Sequence, residues 1–247
     1  MILTVFLVVL LGLIALGLPI AFALIISAIV MMFQLDFYDT QLLAQNMLSG
    51  ANSFTLMAVP LFMLAGELMN AGGISRRIVH LANTFVGHIQ GGLGYVAIFA
   101  SVLLASLSGS AVADAAALGS LLIPMLREKG YDAGQASGLI ASGGIIAPII
   151  PPSISFIIFG VATNVSITKL FFAGIAPGLM MGLTLVAVWT WVARKHGSIT
   201  PSPREPWSNR LKALRGSLWA LFLPVIIIGG LRGGIFTPTE AAVVAAV

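Results

Sequence analysis

Ser106-Leu107-Ser108-Gly109-Ser110-Ala111-Val112-Ala113-Asp114-Ala115-Ala116-Ala117-Leu118-Gly119 lies inside a stretch almost without charge. Residues 78–113 hold no Asp, Glu, Lys or Arg, and after Asp114 the next charge is Arg127. Basic residues flank the stretch, with Arg76 and Arg77 before it and Arg127 and Lys129 after it. Loops rich in Lys and Arg stay on the cytoplasmic side of a membrane, so residues 93–126 are expected to start and end on the same side. They number 34. One straight helix of that length spans about 51 Å, too long for a hydrocarbon core of about 30 Å. Two legs, 93–105 and 111–126, each reach about 20–24 Å and are too short to cross it. A re-entrant helical hairpin satisfies both limits, with 106–110 as its small, polar, glycine-containing tip.

Composition supports a membrane setting throughout. Of 247 residues, 59% are apolar and 8% charged, with 12 basic and 8 acidic side chains. The mean hydropathy is +1.07. Ordinary soluble domains are about one quarter charged, and disorder needs low hydrophobicity. The class is an all-α polytopic membrane protein in contact with the lipid bilayer. The net charge of +4 reads as a topology signal, so no nucleic-acid partner is implied. Cysteine is absent, which excludes disulfides and thiolate metal sites.

Further uncharged runs cover 1–35, 40–66, 133–168, 170–193 and 216–231, giving at least five segments of membrane length. The first lacks a basic start and a cleavage site, and is not expected to be a cleaved signal. Gly17-Leu18-Pro19 interrupts it, leaving one kinked helix or two short ones, and the side of the N-terminus stays open. Residues 194–215 carry Arg194, Lys195, Arg204, Arg210, Lys212 and Arg215 against Glu205, and are placed in the cytoplasm. Pro201, Pro203 and Pro206 make the start of this loop irregular, and Trp207 to Leu218 suits an interfacial helix. The expected organisation is 1–73 as N-terminal membrane helices and 74–92 as an interfacial amphipathic arm. The hairpin at 93–126 follows, then membrane helices over 133–193, a basic loop at 194–217, and a membrane helix plus the start of another at 218–247.

Three constellations bear on chemistry. At the hairpin tip, broken backbone at membrane depth needs protein or a cavity around it. The N-terminus of the second leg offers N–H groups and positive dipole to an anion. Freed carbonyls and the hydroxyls of Ser108 and Ser110 offer oxygen ligands to Na⁺. Asp114, a rare intramembrane acid, is a candidate ion-site or supporting residue, or simply a cap. The bland alternative is close packing through Ala111, Ala115 and Gly119. The second constellation is Gly143-Gly144-Ile145-Ile146-Ala147-Pro148-Ile149-Ile150-Pro151-Pro152-Ser153, whose prolines preclude one continuous helix. It predicts a discontinuous transmembrane helix broken within 143–153, with Ser153 and Ser155 at the start of its second half. The third, Thr237-Pro238-Thr239-Glu240, reads as a capping box, with an ion pair between Glu240 and Arg232 as the sharper alternative. Gly174, Gly178 and Gly182 give one smooth packing face. No HExxH, Walker A, GxGxxG or GxSxG motif is present, which argues against a zinc protease, an ATPase, a dinucleotide enzyme and a serine hydrolase.

Pro60-Leu61-Phe62-Met63-Leu64-Ala65-Gly66-Glu67-Leu68-Met69 with Gly72-Gly73-Ile74-Ser75-Arg76-Arg77 resembles the large membrane subunit of tripartite ATP-independent periplasmic (TRAP) transporters, the DctM-like family. The run Ser108–Gly119, the run Pro148–Ser153 and Gly234-Ile235-Phe236-Thr237-Pro238-Thr239-Glu240-Ala241-Ala242 resemble it too. The resemblance implies an elevator-type secondary carrier of two inverted repeats, each with a re-entrant hairpin and an unwound helix. It implies no enzyme activity and no cofactor other than Na⁺ as coupling ion. It implies a multi-pass protein of the bacterial inner membrane, a small four-helix membrane subunit and a periplasmic substrate-binding protein as partners, and an organic acid carboxylate as substrate. Ser108, Gly109 and Ser110 would form the first hairpin tip, lining a Na⁺ site and facing the carboxylate, and Pro151, Pro152 and Ser153 the unwound helix. Family members have about twice this repeat content. The chain is therefore expected to be the first half of the fold, and the alternative reading is a truncated scaffold that assembles with partners without transporting.

Overall fold

Runs of apolar residues become helices here because no other open-ended structure pairs every backbone group internally in lipid. The computed structural model describes residues 2–195 and 203–246, and every described regular element is helical. The chain divides into two compact units at Ser53/Phe54.

The first unit holds three helices: α1 (Ile2–Ala15), α2 (Ile20–Gln34) and α3 (Thr40–Ala51). The interruption at Gly17-Leu18-Pro19 resolves into two short helices: Gly17 takes φ 86° and Pro19 stands before α2. α1 and α2 pack on one another. Asp39 caps α3, accepting from the N–H groups of Gln41 (2.8 Å) and Leu42 (3.2 Å).

The second unit starts with a 3₁₀ turn (Phe54–Met57) and continues through α4 (Ala58–Ala71), α5 (Ile74–Val86), α6 (Gly92–Ser108) and α7 (Ala111–Glu128). α8 (Ala133–Gly144) and α9 (Ile154–Thr163) follow, then the long α10 (Ile167–Lys195). α11 (Trp207–Arg232) and α12 (Pro238–Ala246) complete the described chain. Residues 196–202 of the expected basic loop, Pro201 among them, lie outside the described residues. From Trp207 onward the segment expected to be interfacial is continuous with the next apolar one, as the single helix α11.

Among the described residues three stretches are long and apolar enough to cross a membrane: Phe54–Ala71, Ile167–Lys195 and Trp207–Arg232. That is fewer than the five expected from uncharged length, for a local reason. Absence of charge does not ensure helical continuity. Residues 1–35 divide at Gly17, 40–66 at Asn52-Ser53, and 133–168 at the proline cluster, leaving shorter apolar helices.

Three apolar clusters hold the second unit together, the smallest formed by Ala105, Ile146, Ala147 and Ile150, and the other two larger. One joins α5, α6, α7, α8 and α10 through Ile78, Val96, Leu104, Leu118, Leu122, Leu126 and Ile140, with Ala220 of α11. The other packs Ala58, Phe62 and Ala65 of α4 against Ala241, Ala242 and Ala245 of α12, beside Ile157, Phe171 and Ile227. α5 has the expected amphipathic character: Ile78, Val79 and Ala82 are buried, while Arg76, Arg77 and His80 face outward. α12 starts as the capping box predicts. Glu240 N–H donates to Thr237 Oγ1 (3.3 Å), and Glu240 Oε2 accepts from the Thr237 N–H (2.7 Å) and hydroxyl (2.9 Å). The Glu240 carboxylate is thus committed to the cap rather than to Arg232.

At the base of α6, Gly91 has φ 76° and its carbonyl accepts from Trp189 Nε1 at 2.9 Å. A Cβ on Gly94 would lie 1.8 Å from the same indole. Gly94→Ala is therefore expected to displace Trp189, at a cost of about 1–3 kcal/mol for overpacking. The measurement is the thermal unfolding midpoint of the purified protein, and an unchanged midpoint refutes the packing assignment.

Candidate functional site

The continuous rod that 93–126 would otherwise form is broken by two residues. Gly109 adopts φ 62°, a left-handed conformation suited to glycine, and Ser110 is extended at φ −119°. α6 and α7 then pack on one another. The break is tighter than the expected tip 106–110. Ser106 and Ser108 stay helical, and the Ser106 hydroxyl is satisfied within the helix by the Leu103 carbonyl at 2.7 Å.

A short hydrogen-bonded chain fixes this break. Ser110 N–H donates to Ser108 Oγ (3.1 Å), and Ser108 Oγ–H donates to Asp114 Oδ1 (2.5 Å). Ser110 Oγ caps α7 by accepting from the Ala113 N–H at 3.4 Å. Asp114 is 2% exposed, and its second oxygen, Oδ2, is buried without a hydrogen-bond partner. The cap expected of Asp114 is thus performed by Ser110, and Asp114 instead holds Ser108 across the break.

The second break covers 145–153. Gly143 and Gly144, expected within it, remain in the last turn of α8. Glycine weakens a helix without ending it, whereas the prolines beyond remove backbone donors. The Pro151–Pro152 peptide is cis. Ser153 Oγ–H donates to the Pro148 carbonyl (2.5 Å) while the oxygen accepts from the Phe156 N–H (3.3 Å), capping α9. Pro151, Pro152 and Ser153 are all buried.

The two breaks meet. A Cβ on Gly109 would lie 2.4 Å from the Pro152 carbonyl oxygen, 3.1 Å from Ser153 Cα and 3.2 Å from Ile154 N. Gly109, with Ser108 and Ser110 on either side of it, is thereby brought beside Pro152 and Ser153 at the start of α9, and Asp114 is tied to this point through Ser108. Small residues permit the approach from every side. Gly144 faces the Ala111 carbonyl, Gly143 faces Ser101, and Gly66 of α4 lies against Ser108. On α10, Gly174 and Gly178 receive Ile149 and Ile150 of the second break, and Gly182 faces Val102. The smooth face read from the sequence is therefore the bed of the unwound segment. Gly66 was quoted from the sequence only as part of a family motif. Its one local signal was an isolated glycine within an apolar helix, which does not say what packs on it.

Among the described residues no three His, Cys, Asp or Glu side chains come together as a metal-binding group. The donors at the breaks are hard oxygens: the Asp114 carboxylate, serine hydroxyls and carbonyls. Such donors suit Na⁺ and do not suit a transition metal.

Residues 7–247 match the model of the tripartite ATP-independent periplasmic transporter DctM component. The chain belongs to the DctM family. It is 57% identical over 237 residues to the 2,3-diketo-L-gulonate TRAP transporter large permease protein YiaN of Escherichia coli K12, covering 96% of this chain and 56% of that protein. It is 44% identical over 234 residues to the sialic acid TRAP transporter large permease SiaM of Vibrio cholerae (95% of this chain, 55% of that protein). With the C4-dicarboxylate TRAP transporter large permease DctM of the same organism it shares 40% over 239 residues (96% and 52%). The chain spans about half the length of the curated relatives it matches. The family is one of membrane-embedded transporter permeases and not of enzymes.

The Ser108–Asp114 contact makes a stability test available. Asp114→Asn keeps an acceptor for the Ser108 hydroxyl, whereas Asp114→Ala leaves that hydroxyl buried without one. The alanine variant is expected to be less stable than the asparagine variant by about 1–3 kcal/mol. Thermal unfolding of the two purified proteins checks this, and equal midpoints refute the role given to Asp114.

Proposed function

We propose that the chain is part of a secondary carrier that takes up a small organic acid as its carboxylate together with Na⁺, and that the two adjoining breaks form part of the binding site. The observation that carries this reading is the contact of Gly109 with Pro152, Ser153 and Ile154. It brings two helix N-termini together, and each contributes positive dipole and N–H groups toward a negatively charged solute. The oxygens of Ser108, Ser110 and Asp114, with the unpartnered Asp114 Oδ2 among them, offer a cation the opposite charge a few ångströms away. Cation and anion would then neutralise one another at the same broken backbone.

In this reading α6 and α7 form a re-entrant hairpin, and the basic segment 194–217 lies on the cytoplasmic side of a bacterial inner membrane. The arrangement is the first half of an inverted-repeat, elevator-type carrier. A periplasmic binding protein delivers the solute, and a small four-helix membrane subunit accompanies the permease. The names of the relatives, which cover diketogulonate, sialic acid and C4-dicarboxylates, support an organic acid as the substrate class.

The test uses the full-length permease reconstituted with its small subunit and binding protein. Gly109→Val adds a branched side chain at φ 62°, against the Pro152 carbonyl. Na⁺-driven uptake of the organic acid is expected to fall to the level seen without a Na⁺ gradient, while the complex still co-purifies. Ser110→Trp is expected to do the same by filling the space beside the tip. Undiminished uptake in both variants removes the breaks from the mechanism. Assembly of the unaltered complex without flux favours a scaffold role.

A further inference from the structure

α5 and α11 run antiparallel. Ser217 Oγ–H donates to the Arg77 carbonyl at 3.3 Å, and seven residues earlier in α11 the Arg210 guanidinium lies 5.7 Å over the ring of Phe85. At the Ser217 end the two helices line a cleft of about 370 Å³, with Arg76, Arg77, His80, Lys212, Gly216 and Ser217 around it. No carboxylate lines it. Neither Ile74–Val86 nor Trp207–Arg232 contains an Asp or Glu, and Glu205, just before α11, accepts from Asn209 Nδ2 at 2.7 Å. Two guanidinium groups and one ammonium therefore gather with no carboxylate among them. A Cβ on Gly216 would meet nothing within 4 Å, so the helix face itself leaves room there.

The position of the cleft along α11 indicates its ligand. The uncharged part of α11 begins at Gly216, one turn beyond Lys212, so the cleft lies where the helix passes from basic to apolar surface. Trp219, one turn further, is 87% exposed, and aromatic residues of this kind are enriched at membrane–water interfaces. Leu211, Leu214 and Leu218 on the same helix are also exposed, and offer apolar surface beside the cations.

We propose that the cleft between α5 and α11 binds the phosphate of an anionic phospholipid headgroup, and that this tie anchors the amphipathic α5 to the membrane. The two guanidinium groups donate to phosphate oxygens in fixed geometry, and Lys212 adds a point charge. A free phosphate shares this chemistry, but the exposed leucines and Trp219 favour the lipid.

Native mass spectrometry of the full-length permease in mild detergent tests the proposal. Phosphatidylglycerol is added in one arm, phosphatidylethanolamine in a second and inorganic phosphate in a third. The unaltered protein is expected to retain phosphatidylglycerol in preference to phosphatidylethanolamine, and to lose it as ionic strength rises. Each removed cation is expected to weaken retention by about fivefold, so Arg77→Gln with Lys212→Gln weakens it by about 25-fold. Gly216→Phe, which fills the cleft and keeps every charge, is also expected to reduce retention. All three positions are exposed, and an unchanged elution volume verifies folding. Equal phosphatidylglycerol retention in the unaltered protein and both variants overturns the site. Equal retention of the two lipids, with inorganic phosphate bound in their absence, overturns the lipid assignment.

Discussion

The backbone of Gly109 lies against the backbone of Pro152, Ser153 and Ile154 with no side chain between them. In lipid an unpaired N–H or C=O costs several kcal/mol, so helical backbone can be interrupted at membrane depth only where other protein receives it. Here each interruption is received partly by the other. The serines complete the arrangement: Ser110 caps α7, Ser153 caps α9, and the hydroxyls of Ser108 and Ser153 are themselves used as donors. The exposed polar groups that make a broken helix costly are thereby reduced to a few, and those few are close together.

That contact dictates the composition of everything around it. Two backbones can approach so closely only where neighbouring surfaces lack side chains. Gly66 on α4, Gly144 on α8, and Gly174 and Gly178 on α10 present bare helix to the residues at or beside the breaks, and Gly143 does so to Ser101 within α6. Association of helices in lipid relies on such close van der Waals contact, because burial of apolar surface there gains little over contact with acyl chains. The same logic explains the pairing of α4 with α12, where alanines face alanines. A fold held in this way tolerates large exposed apolar side chains on its outer surface, and Leu183, Trp191 and Val225 are examples.

Much of this was legible in the sequence, and the limits are physical. The break at Gly109 followed from charge spacing and helix length, and the break before Ser153 from proline chemistry. The place of Ser153 at the start of α9 and the Thr237–Glu240 box follow from local rules that act over three or four residues, whereas the cap of α7 falls to Ser110 rather than to Asp114. What local rules do not carry is partner identity. Nothing in the spacing of Ser108 and Asp114 required them to bond, although they lie six residues apart across the break. Nothing indicated that Gly66 faces Ser108. Uncharged length marks apolar segments, broken ones included, whereas the continuity of a helix depends on where Gly, Pro and Asn interrupt the hydrogen-bond ladder, so fewer single helices than uncharged segments reach membrane length. The glycines at 143–144 show the reverse error: in a crowded helix they serve close contact before they serve bending.

The distribution of charge separates two tasks. Within the buried helices of the second unit the one fully buried acid is Asp114, held to a serine and near the meeting of the breaks. The basic side chains are elsewhere, on α5, at the end of α7, and at both ends of α10 and of α11. A fixed buried cation at the breaks would attract an organic anion strongly and also retain it, since a charge pair in low dielectric is slow to part. On the function proposed above, helix dipoles and hydroxyls at the breaks supply weaker, partial charges, from which a solute parts more easily. Among the described residues the basic side chains are exposed to the surface, apart from Arg210, which is buried with its guanidinium over the rings of Phe85 and Trp207, so a full positive charge in the interior is placed against aromatic faces and away from the breaks.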